Sequence, residues 1–421
     1  MGASPIETAS QGPRVAEGEI GLSTSLLTMP GLRTEHYTIY SQLSDEVTAD
    51  LALRLEAMYD YYAQRFKDVY RPIPFPKRVF LFNNRKDFVA AGGHPTMPGQ
   101  FIGGGDEVGA RLMMIFQEGD LGAFMASCPL MYHEGFHQFR AIEISEAGNV
   151  NRAWPRWLDE GYANVFNNIT WTGDGWVDGV LRPETIYSIM SNAANFITLD
   201  DLLNNDGAWL EMIADGKLWS LYMESASMVF FLDHVDSGKY RSLLARCVQE
   251  LSNAQRPEQT LKDIVVLEPE YLQWLSARLN EHVTAAKYYE IFTAMLTSHV
   301  ARAHARGQRF SSGDDLLAKA REGQLDMPPV GSDQWLPDGL LHEMMWYYTM
   351  LSESYDPFEV DIEYPTEGGT PLIHVRHPRF GLELEGAFKL KDSNKIASVD
   401  IVYIACPSLD LLKAMTMVNT D

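Results

Sequence analysis

Two histidines four positions apart, with a glutamate directly after the first, stand in the stretch "YHEGFHQFRA" at 132–141 and restrict the possible folds of this 421-residue chain most. Helical residues turn ~100° each, so a helix here puts His133 and His137 one turn apart on one face, where both imidazoles can bind one metal ion. Glu134 then lies beside the pair. It is badly placed to ligate the same ion, but it can take a proton from a water held there. Three fixed residue types in five positions occur by chance in roughly one chain in a hundred of this length. An amphipathic helix with two idle histidines is therefore the competing explanation until a third ligand is found.

A catalytic zinc takes three protein ligands and keeps one position open. In the long metzincin motif the third ligand is a histidine six positions on, behind a glycine, and here those positions hold Glu143 and Arg140, so that class is excluded. Downstream, "AWPRWLDEGYANVF" (153–166) reads as a helix opened by Pro155, with Glu160, twenty-three residues after His137, in its early turns. A carboxylate on a second helix packed against the first completes a His2Glu set. Asp159 is the fallback for that ligand.

At these residues the chain resembles the gluzincin superfamily of zinc peptidases, in which HExxH is followed by W-L-x-E-G. It is most similar to the bacterial peptidase MA-like branch, where HExxHQ precedes Pro-x-W-L-x-E-G, here His133 to Gln138 and Pro155 to Gly161. The resemblance covers roughly residues 34–250. It implies Zn2+ on His133, His137 and Glu160, Glu134 as general base, Asp159 behind the ligands or at the surface, and a peptide or protein as substrate. Aminopeptidases of the superfamily place a transition-state tyrosine about sixty residues past the ligand glutamate, and "YMESASMVFFL" puts Tyr222 sixty-two past Glu160. Tyr162 and His234 are reserve candidates for that role, and a core position is the alternative for Tyr222. The amine-anchoring motif Gly-x-Met-x-Asn is missing, so exopeptidase action is not implied. Kinship also implies an extracytoplasmic home.

Composition narrows the remaining classes. The chain is 46% apolar and 22% charged, which suits two or three hydrophobic cores. A net charge of -23, from 57 acids against 34 bases, disfavours nucleic acid and anionic lipid as partners. Cys128, Cys247 and Cys406 are too few and too scattered for a disulfide framework or a thiolate zinc cluster. No apolar run approaches the ~18 residues of a membrane span. The opening residues carry neither the basic nor the apolar region of a secretory leader, and no compartment follows from them.

The expected fold class is α+β: a gluzincin-like mixed sheet with a helical catalytic domain, a helical extension and a small β-rich C-terminal region. Residues 1–30 read as a loose arm, 31–253 as the catalytic domain, 254–355 as the helical region and 356–421 as the β-rich region. Strands are expected at 34–43, 77–84 and 111–117, and helices at 44–66, 217–235, 239–251 and 269–283. Pro129 and Pro155 both read as first-turn prolines. Strand 111–117 is expected at a sheet edge, free to pair with an extended peptide, and "GGGDEVG" before it as a plain turn. "HVRH" (374–377) sends its histidines to opposite faces of a strand, and "HEMMW" (342–346) reads as a core helix. Two other functions compete with proteolysis: a catalytically silent binding or scaffold protein on the same fold, and zinc hydrolysis of a non-peptide amide or ester.

Overall fold

Short apolar runs bounded by turn residues build a five-stranded sheet from β1 (Gly31–Arg33), β2 (Tyr37–Ser41), β3 (Lys77–Phe82), β4 (Gly99–Ile102) and β5 (Arg111–Ile115), ordered β1-β2-β3-β5-β4. This is a computed structural model, and it describes residues 29–405 except 105–108, 145–153, 180–196, 205–206, 208, 210, 212–217, 278–280, 326–327, 331, 333, 355–356, 366–368, 380 and 392–394. The expected N-terminal arm up to 28, the middle of "GGGDEVG" and Cys406 lie outside the described residues.

Strands β2, β3 and β5 run parallel, whereas β1 and β4 are antiparallel to their neighbours. Parallel neighbours need a crossover. Helix α1 (Asp45–Arg65) supplies the one between β2 and β3, starting from Ser44, whose side chain accepts from the Val47 N–H. The period-2 alternation of β3 then divides its side chains. Val79 and Leu81 pack on the α1 side with Leu112 and Met114, while Phe80 and Phe82 turn to the other face with Met113, Ile115 and Phe88 of α2 (Arg85–Ala90). Both faces of the sheet are covered.

The strand expected at the edge lies inside the sheet. Strand β5 pairs with β3 on one side and β4 on the other, so the edge on that side of the sheet belongs to β4. Being short and flanked by Pro98 and glycines, β4 gives little period-2 signal of its own.

Helix α3 (Leu121–Phe139) starts from Asp120, which accepts from the Ala123 N–H. Pro129 sits in its interior, not in a first turn as expected. Two turns precede the proline, so it removes one backbone hydrogen bond and crowds the preceding turn without ending the helix. A π-helical turn (Arg140–Ile144) closes α3, and α4 (Arg156–Phe166) opens after Pro155. Phe66, Phe136, Tyr162 and Phe166 pack between these helices, with ring centroids 5.0 Å apart for Phe66–Tyr162 and Phe136–Phe166. At ~1.5–3 kcal/mol per fully buried side chain, such a cluster fixes the crossing of α3 and α4 far more firmly than one hydrogen bond at ~1 kcal/mol.

Helix α5 (Leu218–His234) crosses α4 at Gly161. A Cβ there would lie 2.6 Å from Val229 Cγ2 and 2.8 Å from the Ser225 carbonyl oxygen, so only glycine allows this approach. Helices α6 (Arg241–Ser252), α7 (Glu258–Val265) and α8 (Glu268–Ala277) continue the same core through Leu261, Ile264, Tyr271 and Trp274, past residue 253. The helix expected over 269–283 is described as α8 and the start of α9 (Glu281–Ala305).

A second core surrounds α9. It takes in α10 (Asp338–Ser354), the small hairpin β6 (Thr170–Trp171) and β7 (Trp176–Val177), and an antiparallel sheet of β8 (Glu359–Glu363), β9 (Leu372–His377), β10 (Leu382–Leu390) and β11 (Ile396–Ala405). Ile373, Val375, Leu384 and Phe388 of that sheet belong to one cluster with Phe292, Met295 and Leu296 of α9. "HEMMW" is a core helix: His342 is exposed, while Glu343 and Met344 are buried. Buried Arg54 of α1 joins the cores, pairing with Asp50 at 2.6 Å and Glu343 at 2.8 Å. The architecture is α+β, and no described helix is long and apolar enough to cross a membrane.

Candidate metal centre

The half of α3 beyond Pro129 is anchored on both sides. Met131, Tyr132, Phe136 and Phe139 face the core, the Tyr62 hydroxyl bonds the Tyr132 carbonyl, and the buried Gln138 amide donates to the Arg78 carbonyl of β3 at 3.0 Å. These contacts leave His133, Glu134 and His137 on the side turned toward α4 and β4. The amphipathic spacing therefore decides which way the chemistry points.

His133 Nε2 and His137 Nε2 lie 3.2 Å apart, and Glu160 Oε2 lies 3.5 Å from the first and 3.7 Å from the second. Zinc bonds of ~2.0–2.2 Å at tetrahedral angles put neighbouring ligand atoms ~3.3–3.6 Å apart. The three separations fall within about 0.1 Å of that range. Glu160 Oε2 is buried and takes no hydrogen bond, which leaves it an unsatisfied acceptor unless a cation completes it. Among the described residues, these three side chains form the one group of three or more His, Cys, Asp or Glu able to hold a metal. Donor set and spacing fit zinc.

Asp159 is no ligand. Its Oδ1 meets His137 Nδ1 at 3.2 Å, and Arg140 grips the same carboxylate through Nε at 3.1 Å and Nη2 at 2.8 Å. Arg140 continues α3 with helical backbone, its N–H bonding the Phe136 carbonyl, which puts it on the His137 side of the helix and facing Asp159. A carboxylate behind a ligating histidine fixes both its ring orientation and its tautomer.

The charges form one system. Burial pushes the Glu160 carboxyl up, but the two imidazoles outweigh it and hold the group far below the ordinary carboxylate range. Burial pushes His137 down, yet Asp159 and Glu160 reverse this and hold the imidazole well above its usual value. The cluster therefore retains positive charge, as a proton or as a metal ion competing for the same nitrogen.

Glu134 points elsewhere. Its Oε2 accepts the Phe101 backbone N–H at 2.7 Å, so the edge strand β4 fixes the carboxylate. Tyr222 is half-buried on α5, and burial, then the charges of Glu160 and Glu134, raise its phenol well above the normal value. It therefore stands within the electrostatic reach of both carboxylates. Tyr162 is buried among Phe66, Phe136 and Trp154 in the aromatic core. His234 lies twelve residues past Tyr222, ~18 Å along the helix axis. It faces Asp233 at 3.4 Å and Asp178 at 3.8 Å.

Two contributors escape sequence reasoning: the guanidinium of Arg140 and the backbone amide of Phe101. Arg140 lies three positions after His137, on the same side of the helix, which is a usable signal. A backbone amide leaves none. The chain matches no protein-family model, and no curated protein matches it.

Proposed function

We propose that this protein is a zinc-dependent metallopeptidase of gluzincin type, with His133, His137 and Glu160 as zinc ligands and Glu134 as general base. The observation that carries this reading is the convergence of two imidazole nitrogens on a buried carboxylate oxygen that has no hydrogen-bond partner. A mixed sheet with an antiparallel edge strand beside the histidine helix also supports it.

Zinc, when bound, supplies a Lewis acid that polarises the scissile carbonyl and makes water easier to deprotonate. Glu134 takes the proton of the attacking water and passes it to the departing amine. Strand β4 keeps that carboxylate in place through the Phe101 amide. The Tyr222 hydroxyl donates a hydrogen bond to the oxygen on which charge develops. Asp159 and Arg140 act only through His137, by fixing its ring.

The test is Glu134→Gln in the zinc-loaded protein, assayed on a peptide library beside amide and ester substrates. The variant is expected to keep its zinc and to lose roughly 10²–10⁴-fold in peptide cleavage. Cleavage at the wild-type rate would refute the mechanism. Turnover of esters or non-peptide amides alone would move the function to another hydrolase class.

A further inference from the structure

We propose that Glu143 is a positioning residue for the metal centre: it clamps the end of α3, and so holds Arg140, and through it Asp159 and His137, in the arrangement that binds zinc. This rests on the zinc reading of the site, and deepens it with a residue that touches neither metal nor substrate.

Helix ends fray, and the last turns of α3 carry both a ligand, His137, and the guanidinium that grips Asp159. The π-helical turn that follows is fastened by one side chain. Glu143 is completely buried, at 0% exposure. Its Oε1 takes the Lys77 ammonium at the start of β3 and the Tyr59 hydroxyl of α1, the latter at 3.1 Å, while its Oε2 accepts the Ile73 N–H at 2.9 Å. Its carbonyl accepts the Arg71 N–H at 2.8 Å. All of these partners belong to the stretch from α1 to the first residue of β3, so the end of α3 is tied to the sheet.

Three residues back, Arg140 reaches the other way, to Asp159 on α4 at 2.8 Å. One turn therefore bears a clamp toward the sheet and a grip toward α4. Gln138 adds a second tie to β3, through the Arg78 carbonyl.

Stability does not account for the clamp. Burial pushes the Lys77 ammonium down although Glu143 opposes it, so for the lysine the lost hydration outweighs the pairing. Apolar residues of similar volume commonly serve stability as well as a buried ion pair does, and the attested use of such a pair is to fix a register. Here the register is that of the last turn of α3 against β3.

Zinc affinity, measured by competition with a chromogenic chelator, tests this in a cycle of variants. Lys77→Met with Glu143→Leu removes the clamp without leaving a lone charge, and should weaken zinc binding roughly tenfold. Lys77→Met with Glu143→Gln keeps an acceptor for Ile73 and Tyr59, and should restore most of the affinity. Arg140→Ala should also weaken binding, and adding the Leu pair to it should cost little more, because the clamp acts through Arg140. Circular dichroism and unfolding of the metal-free chains establish that each variant is folded. Glu143→Asp, which keeps the charge and shortens the reach, carries the same cycle if the Leu pair does not fold. Losses that add in full, or an affinity that the clamp variants leave unaltered, overturn the inference and leave the zinc site intact. A wild type that takes up no zinc sinks the zinc reading and this inference together.

Discussion

Asp159 meets Nδ1 of His137 at 3.2 Å, and that contact determines which ring nitrogen faces Glu160. Although burial pushes its carboxyl up, His137 and Arg140 hold Asp159 below the ordinary range, so it accepts and cannot donate. The proton stays on Nδ1, and Nε2 is the nitrogen presented to a metal.

Asp159→Asn keeps the shape and loses that certainty, because an amide can donate to the ring as well as accept from it. Zinc affinity should fall roughly 10–100-fold, measured by competition with a chromogenic chelator. Unchanged affinity would mean that Asp159 does not orient His137.

Gly161→Ala puts a methyl group 2.6 Å from Val229 Cγ2 and 2.8 Å from the Ser225 carbonyl. Backbone on one side leaves α4 and α5 only the option of separating. The expected cost is ~1–3 kcal/mol in chemical denaturation, with weaker zinc binding because Glu160 precedes the glycine. An unaltered unfolding midpoint would show that the helices adjust freely.

Tyr222→Phe removes the hydroxyl and little else. Catalytic turnover should drop roughly 10²–10³-fold, while KM and zinc content change little. Equal loss in both kinetic constants would assign Tyr222 to substrate binding, and no loss would return it to the core.

Glu224 lies two residues further along α5. Burial raises its carboxyl to about 8, against a backbone hydrogen bond from Ile197 that lowers it. The folded chain therefore keeps this proton at pH values where the unfolded chain, ionising near 4.5, has lost it. Stability falls as pH rises from about 4.5 to 8 and is flat beyond, with a ceiling of ~4–5 kcal/mol for this group. Glu224→Gln should raise the melting temperature at pH 8 and leave it unaltered at pH 4. A gain of equal size at both pH values would show that burial of the charge is not the cause.

Much of the site was legible because its geometry is local. His133, Glu134 and His137 need only a helix, which the surrounding Met131, Phe136 and Phe139 dictate, and Glu160 needs only a second helix whose apolar side carries Trp157, Leu158 and Tyr162. What was hidden depends on tertiary placement. Strand β5 was expected at the edge, yet its place between β3 and β4 follows from a parallel pairing that no stretch of 111–117 encodes. Asp159 and Glu160 are alike as carboxylates, and apart from the resemblance their roles separate only in the fold, where Arg140 at the end of α3 grips Asp159. Pro129 reads as a first-turn proline because such a turn tolerates it, whereas Asp120 caps the helix two turns earlier.

Peptide cleavage by this route depends on one metal ion held between His133, His137 and Glu160. Anomalous scattering at the zinc absorption edge, collected from crystals of zinc-loaded protein, should give one peak per chain at ~2.0–2.2 Å from both Nε2 atoms and a Glu160 carboxylate oxygen. It should vanish in His137→Ala. A peak elsewhere, or none at full zinc saturation, would contradict the account.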